Sequence, residues 1–145
     1  MSLFSALSVS ASGMSAQRTR AELLVENIAN AETTRTPEGG PYRRKDAVFM
    51  SDSVDSPFSS VLERQMGGTS TGVRVADISV DTREPERRYL PDHPDADASG
   101  YVSVPRMNPV EDMVDLIGAS RSFQANVTAM SAVKDMIQRS IDLLR

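Results

Sequence analysis

The sequence predicts a mainly α-helical fold, in which long N- and C-terminal helices form an antiparallel coiled-coil-like hairpin with a Gly/Pro-rich β segment between them. Apolar residues at both ends repeat at alternating spacings of four and three, as in helices that pack along other helices. The middle contains short strand-like runs separated by glycine and proline. Only 39% of the 145 residues are hydrophobic and 5% are aromatic, which suits close helix contacts better than a thick core.

The first predicted helix covers residues 1–31, with regular periodicity from residue 3. Gly13 interrupts it at a cost of about 1 kcal/mol relative to alanine, which indicates that another helix approaches closely there. Its main apolar stripe comprises Leu3, Leu7, Ser10, Met14, Gln17, Ala21, Leu24 and Ile28. A second stripe beside it comprises Ala6, Val9, Ala16 and Leu23.

Residues 32–107 form the predicted middle segment. Pro37, Gly39-Gly40 and Pro41 end the first helix, and residues 42–50 are expected to be extended. A short helix is predicted from Ser56-Pro57 to near Met66, where Gly67-Gly68 stops it. Further strands are predicted at 72–80, 87–90 and 101–104, together making a small β subdomain. The apolar residues change parity between Val75 and Ile78, which indicates a β-bulge or a strand covered on both sides.

The second predicted helix covers residues 108–145. Asn108 is a suitable N-cap, Pro109 suits the first helical position, and Glu111 and Asp112 complement the helix dipole. One stripe comprises Met113, Leu116, Ser120, Phe123, Val127, Met130, Lys134, Ile137, Ile141 and Leu144, and a neighbouring one comprises Ala129, Val133, Met136 and Leu143. A single partner helix cannot cover two stripes, so we expect an assembly to bury one of them.

The residues give no support to an enzyme, a cofactor or a metal site. The chain has no cysteine, and its single histidine, His93, lies in a proline-flanked turn without a nucleophile beside it. Residues 95–100 begin a calcium-loop pattern, but Arg106 occupies the position that requires a bidentate glutamate, so Asx turns are expected. The basic run 43–45 is expected to be a solvated strand face.

Charge and hydropathy argue against several further classes of protein. The net charge is −4, with 16 basic and 20 acidic residues that are well mixed, so no basic stripe indicates nucleic-acid binding. No apolar run is long enough to predict a membrane span. The N-terminus lacks the pattern of a Sec-type signal.

Two segments resemble the bacterial flagellar axial proteins, the family of rod and hook subunits. Residues 17–34, centred on Asn27-Ile28-Ala29-Asn30, resemble the family's N-terminal signature, and residues 101–126, ending in Phe123-Gln124-Ala125-Asn126, resemble its C-terminal motif. Residues 39–45, 72–75 and 92–96 are similar to one proximal rod member. The insertion of residues 34–40 before Pro41-Tyr42 is typical of that member and counts against its rod neighbour and the hook protein.

The resemblance implies a structural subunit of the proximal rod of the flagellar basal body, a tubular drive shaft that transmits torque and encloses the export channel. The implied partners are other copies of the chain, rod proteins of the FlgB, FlgF, FlgG and FliE types, the inner-membrane ring and the flagellar type III export apparatus. The implied location is the periplasmic rod, reached without a cleaved Sec signal.

Asn27, Asn30 and Asn108 are expected to cap or bridge helix ends where the chain turns into the middle segment. The predicted assembly interface comprises Leu3, Leu7, Met14, Ala21, Leu24, Asn27, Ile28, Asn30, Asn108, Met113, Leu116, Ile117, Phe123, Gln124, Asn126, Val127, Met130, Ile137, Ile141 and Leu144.

Two alternative classes use the same apolar stripes. A cytosolic helical adaptor or export chaperone predicts a well-folded monomer or dimer with protected termini. A needle- or translocon-like component of a virulence secretion system shares helical termini, but it lacks the signature at residues 27–30.

Overall fold

The computed structural model describes residues 3–52 and 72–143, and its elements are two long helices with short antiparallel strands between them. They are α1 (Leu3–Ala29), β1 (Lys45–Asp52), β2 (Gly72–Val80), β3 (Glu86–Tyr89), β4 (Tyr101–Val104) and α2 (Pro109–Asp142). The mainly helical fold with a β insertion is therefore confirmed. The predicted short helix from Ser56-Pro57 to Met66, with its glycine stop at 67–68, lies outside the described residues.

The two helices pack against each other over much of their length, and their contacts run in opposite sequence order. Gly13 lies beside Asn126, and Arg20 Nη2 lies 3.5 Å from Asp115 Oδ2. The two helices are therefore antiparallel. The close approach predicted at Gly13 is confirmed, because a Cβ on this residue would lie 3.1 Å from Asn126 Nδ2.

The core is thin and, apart from Tyr42, is built from small or medium side chains. Helix α1 also packs on β1 and β2, and β4 places alternate residues inside the protein. The buried apolar side chains of the described residues are Ala16, Leu23, Leu24, Tyr42, Val102, Val104, Ala119 and Val133. This set agrees with the low content of large hydrophobic residues in the sequence.

The strands of the described residues pair in two separate antiparallel ribbons, β1–β2 and β3–β4. The small β subdomain expected from the sequence stays a prediction. The predicted bulge in β2 is confirmed: Val48 pairs with Asp77 and Phe49 pairs with Val75, which leaves Ala76 as an extra residue. One extra residue reverses the side-chain parity beyond it. The alternative of a strand covered on both sides is wrong, since Ile78 and Val80 stay exposed.

Two glycines inside the helices provide a matched test of the helix contact. A Cβ at Gly118 would meet no atom of residues 3–52 and 72–143 within 4 Å, so Gly118→Ala should raise the free energy of unfolding by about 0.5–1 kcal/mol. Gly13→Ala should raise the free energy of unfolding by less, because Asn126 must move to admit the added methyl group. Gly13→Leu should lower the free energy of unfolding by about 1–3 kcal/mol through overpacking. Urea unfolding of the purified chain measures all three. Equal gains for the two alanine variants would show that the helices do not approach closely at Gly13.

Candidate functional site: a polar junction and exposed helix surfaces

Asn27 ties the end of α1 to the chain that enters β1. Its side chain is 0% exposed. The amide Nδ2 donates to the Lys45 carbonyl at 2.8 Å, and Oδ1 accepts from the Lys45 backbone N–H at 3.0 Å and from the Tyr42 hydroxyl at 2.9 Å. One amide thus satisfies both backbone groups of a strand residue and a buried phenol, as a buried polar side chain requires.

Tyr42 and Lys45 extend this arrangement towards Glu26. Burial, reinforced by the nearby charge of Glu26, raises the pKa of Tyr42 to about 12, so its hydroxyl stays protonated and donates to Asn27. Lys45 Nζ lies 2.6 Å from Glu26 Oε1 and 5.8 Å from the centre of the Tyr42 ring. The strand entry is therefore fixed to α1 by neutral hydrogen bonds and by an ion pair.

Arg44 makes the corresponding connection to α2. Its Nε and Nη2 atoms donate to Asp112 Oδ1 at 3.1 and 2.8 Å, and its Nη1 atom donates to Asp46 at 2.7 Å. Asp112 is 1% exposed, and its other oxygen, Oδ2, has no hydrogen-bond partner among the described residues. Burial alone would lower the pKa of Arg44, but the hydrogen bonds and charge of Asp112 outweigh it and hold that pKa above its usual value. We call Glu26, Asn27, Tyr42, Arg44, Lys45 and Asp112 the polar junction.

The basic run at residues 43–45 is therefore not the solvated strand face that was predicted. Arg44 and Lys45 pair with acidic residues of both helices, and Arg43 donates to the Asp81 carbonyl at 3.1 Å. The prediction failed because the acidic partners lie 19 and 68 positions away in the sequence.

The expected capping roles of the other two asparagines are confirmed. Asn30 follows α1, where its Nδ2 donates to the Glu26 carbonyl at 2.9 Å and its Oδ1 accepts from Thr33 at 3.1 Å. Asn108 precedes α2, where its Oδ1 accepts from the Val110 N–H at 3.1 Å and its Nδ2 donates to Glu111. Together with Asn27, these residues fix both points at which the helices join the middle segment.

The turn at residues 91–100 contains the Asx turn that the sequence indicates. Asp97 Oδ1 accepts from the N–H groups of Tyr101 and Ser99, and these bonds hold its pKa below the usual value. His93 Nδ1 accepts from the Asp95 N–H at 3.1 Å. In residues 3–52 and 72–143, no group of three His, Cys, Asp or Glu residues is arranged to hold a metal ion.

The predicted interface residues fall into three classes of exposure. Those exposed are Leu3, Asn108, Met113, Ile117, Phe123, Gln124, Val127 and Ile141. Those partly buried are Leu7, Met14, Ala21, Ile28, Asn30, Leu116, Asn126, Met130 and Ile137. Leu24 and Asn27 are buried inside the chain, and Leu144 lies outside the described residues. Their contact with other subunits stays a prediction.

The face of α2 that points away from α1 carries large apolar side chains that the stripes did not include. Val110 is 65% exposed, Val114 is 64% exposed and Ile117 is 54% exposed. These residues are spaced by four and three positions in the sequence. They lie on a different face of α2 from the predicted stripe that contains Met113 and Phe123. We call these three residues the α2 row.

A groove of about 430 Å³ lies at the other end of the helix pair. Leu7 and Met14 of α1 line one side of it, and Lys134 is the only charged residue among the described residues that line it. The α2 residues that complete the lining are Val127, Met130, Ser131, Ile137 and Gln138. We call this feature the end groove. No helix in the described ranges is long and apolar enough to cross a membrane.

Comparison with known proteins agrees with the resemblance in the sequence. Residues 98–143 match the family model for the flagellar basal body rod FlgEFG protein C-terminal region. The chain is 40% identical to the flagellar basal-body rod protein FlgC of Borreliella burgdorferi, with 100% of this chain and 99% of the relative covered. It is 41% identical to FlgC of Bacillus subtilis, with 99% of each chain covered, and 35% identical to FlgC of Salmonella typhimurium, with 99% and 98% covered.

These relatives give no support to the adaptor or chaperone alternative, and they are structural proteins of the rod. The chain belongs to the FlgC family of flagellar basal-body rod proteins, which are structural subunits and not enzymes.

Proposed function

We propose that this rod subunit assembles through its terminal helices into the proximal part of a tubular drive shaft, which transmits torque and encloses the export channel. The observation that carries the proposal is the α2 row, whose three large aliphatic side chains stay more than half exposed in the single chain. Full burial of one such side chain contributes roughly 1.5–3 kcal/mol. Contacts with neighbouring subunits would bury this surface many times along a helical array.

The helix pair itself supports a coiled-coil-like hairpin as the assembling unit. Its contacts run in opposite sequence order, and the inward residues Asp112, Ala119 and Val133 of α2 are spaced at multiples of seven. The polar junction holds the strand entry at residues 42–45 against both helices. A subunit that transmits torque needs such a connection, because a flexible joint between its parts would absorb the twist.

The partners and location follow from the same proposal. Other copies of the chain, rod proteins of the FlgB, FlgF, FlgG and FliE types, the inner-membrane ring and the type III export apparatus are the proposed neighbours in a periplasmic rod. The similarity to flagellar basal-body rod proteins supports the basal body as the site of assembly. Export without a cleaved Sec signal is the proposed route to this site.

An aspartate in the α2 row tests the proposal. Ile117→Asp should abolish swimming and rod formation, because it places a carboxylate in a surface that neighbours must desolvate. The free energy of unfolding of the purified chain should change by less than about 0.5 kcal/mol, because the site is exposed in the single chain. Swimming assays, electron microscopy of basal bodies and urea unfolding provide the three readouts.

Ser122→Asp is the matched control, since Ser122 is exposed on α2 and lies on a different face of the helix. This variant should swim. Normal rods and normal swimming in Ile117→Asp would refute the assignment of the α2 row to assembly.

A further inference from the structure

Two apolar surfaces of the chain lie at opposite ends of the helix pair. The α2 row occupies the first turns of α2, and the end groove lies between the start of α1 and the later turns of α2. Val114 and Met130 are separated by about 24 Å along the same helix, at about 1.5 Å per residue. The row therefore cannot reach the groove of its own chain.

The charges beside the two surfaces are opposite. Val110 and Val114 line a shallow surface depression together with Glu111 and Asp115. Asp115 faces Arg20 within its own chain, and Glu111 is exposed beside the row. In the end groove, the charged group is the exposed Lys134. An aliphatic surface with an acidic edge is thus complementary in polarity and charge to an apolar groove with a basic edge.

We propose that the α2 row of one copy of this chain binds in the end groove of a second copy, with Glu111 facing Lys134. This inference rests on the proposed function and adds the identity of the occupant. The contact is heterologous, since the two copies contribute different surfaces, and each copy retains one unoccupied surface for the next. Such contacts generate an open helical array when their rotation does not close a ring.

Engineered cysteines test the contact, because the chain has none of its own. In the Val114→Cys/Ser131→Cys variant, the two cysteines lie about 26 Å apart along one helix, so they cannot form a disulfide within a chain. Mild oxidation of basal bodies should give disulfide-linked dimers and higher species. The Val114→Cys/Ser140→Cys variant is the matched control and should give none, because Ser140 lies on the opposite side of α2 from Ser131.

The outcomes separate this contact from the proposed function. An epitope-tagged chain that is absent from purified basal bodies contradicts the proposed function. A chain that is present there but gives no disulfide between positions 114 and 131 contradicts only the contact. A photo-crosslinking residue at Val114 should give an adduct with a second copy, and an adduct with a different rod protein instead would overturn the choice of occupant.

A charge exchange provides a test that does not depend on cysteines. Glu111→Lys and Lys134→Glu should each reduce swimming, because each places like charges opposite one another across the contact. The double variant should restore swimming towards the wild-type rate. If the double variant swims no faster than the slower of the two single variants, the pairing of these two residues is overturned.

Discussion

Asn27→Ala is expected to destabilise the purified chain by about 3 kcal/mol or more. The substitution leaves the Tyr42 hydroxyl and both backbone groups of Lys45 without their partner, and each buried polar group left unsatisfied costs roughly 1–3 kcal/mol. Since a domain of this size is stable by only about 5–15 kcal/mol, the loss is a large fraction of the total. Urea unfolding followed by circular dichroism measures it.

Asn30→Ala is the matched control within the same sequence motif. Asn30 also makes two side-chain hydrogen bonds, but it is only partly buried, so water can replace them and the loss should be about 1 kcal/mol. Equal losses for the two variants would show that Asn27 is not the centre of the polar junction.

Arg44→Ala is expected to lower the free energy of unfolding by about 3–5 kcal/mol, because it leaves the carboxylate of Asp112 buried without its charge partner. In the Arg44→Ala/Asp112→Ala double variant the charge is gone as well, so the total loss should be smaller than the sum of the two single losses. A double-mutant cycle by urea unfolding measures this coupling.

Arg83→Ala is the control for a surface ion pair. Arg83 Nη2 lies 2.6 Å from Asp81 Oδ2, but the Arg83 side chain is largely exposed, so its loss should cost less than about 1 kcal/mol. An Arg44→Ala loss as small as that of Arg83→Ala would contradict the role assigned to the Arg44–Asp112 pair.

Local features of the fold were predictable from the sequence because they depend on neighbouring residues. Asn108 and Pro109 start α2 as predicted, and the parity change after Val75 correctly placed the bulge. Gly13 correctly indicated the close approach of the helices. In each case the cause is a backbone requirement that one or two residues satisfy, so no long-range information is needed.

The polar junction was only partly predictable. Asn27 was expected to bridge a helix end, but nothing in its spacing identified Tyr42 and Lys45 as its partners. Asp112 was assigned to the helix dipole, which accounts for its place in the first turn but not for its burial against Arg44. Pairings over tens of residues depend on how the middle segment folds back, and periodicity carries no information about that.

The inward face of α2 was only partly predicted, for a different reason. Asp112, Ala119 and Val133 are buried, and Asn126 lies beside Gly13 on the same face. Val133 was placed in the second apolar stripe and Asn126 in the predicted interface, but Asp112 and Ala119 are not large apolar residues and belonged to neither stripe. Leu24, conversely, was assigned to contacts between subunits, but its side chain is already buried within the chain.

Assembly through the terminal helices requires that the exposed apolar face of α2 is covered only in the assembled rod. Thiol labelling of an Ile117→Cys variant measures this directly, because the cysteine-free chain supplies no other thiol. The free chain should label as fast as the denatured chain, and the same residue in isolated basal bodies should be protected. Equally fast labelling of the free chain and of the basal bodies would show that neighbouring subunits do not cover this face of α2.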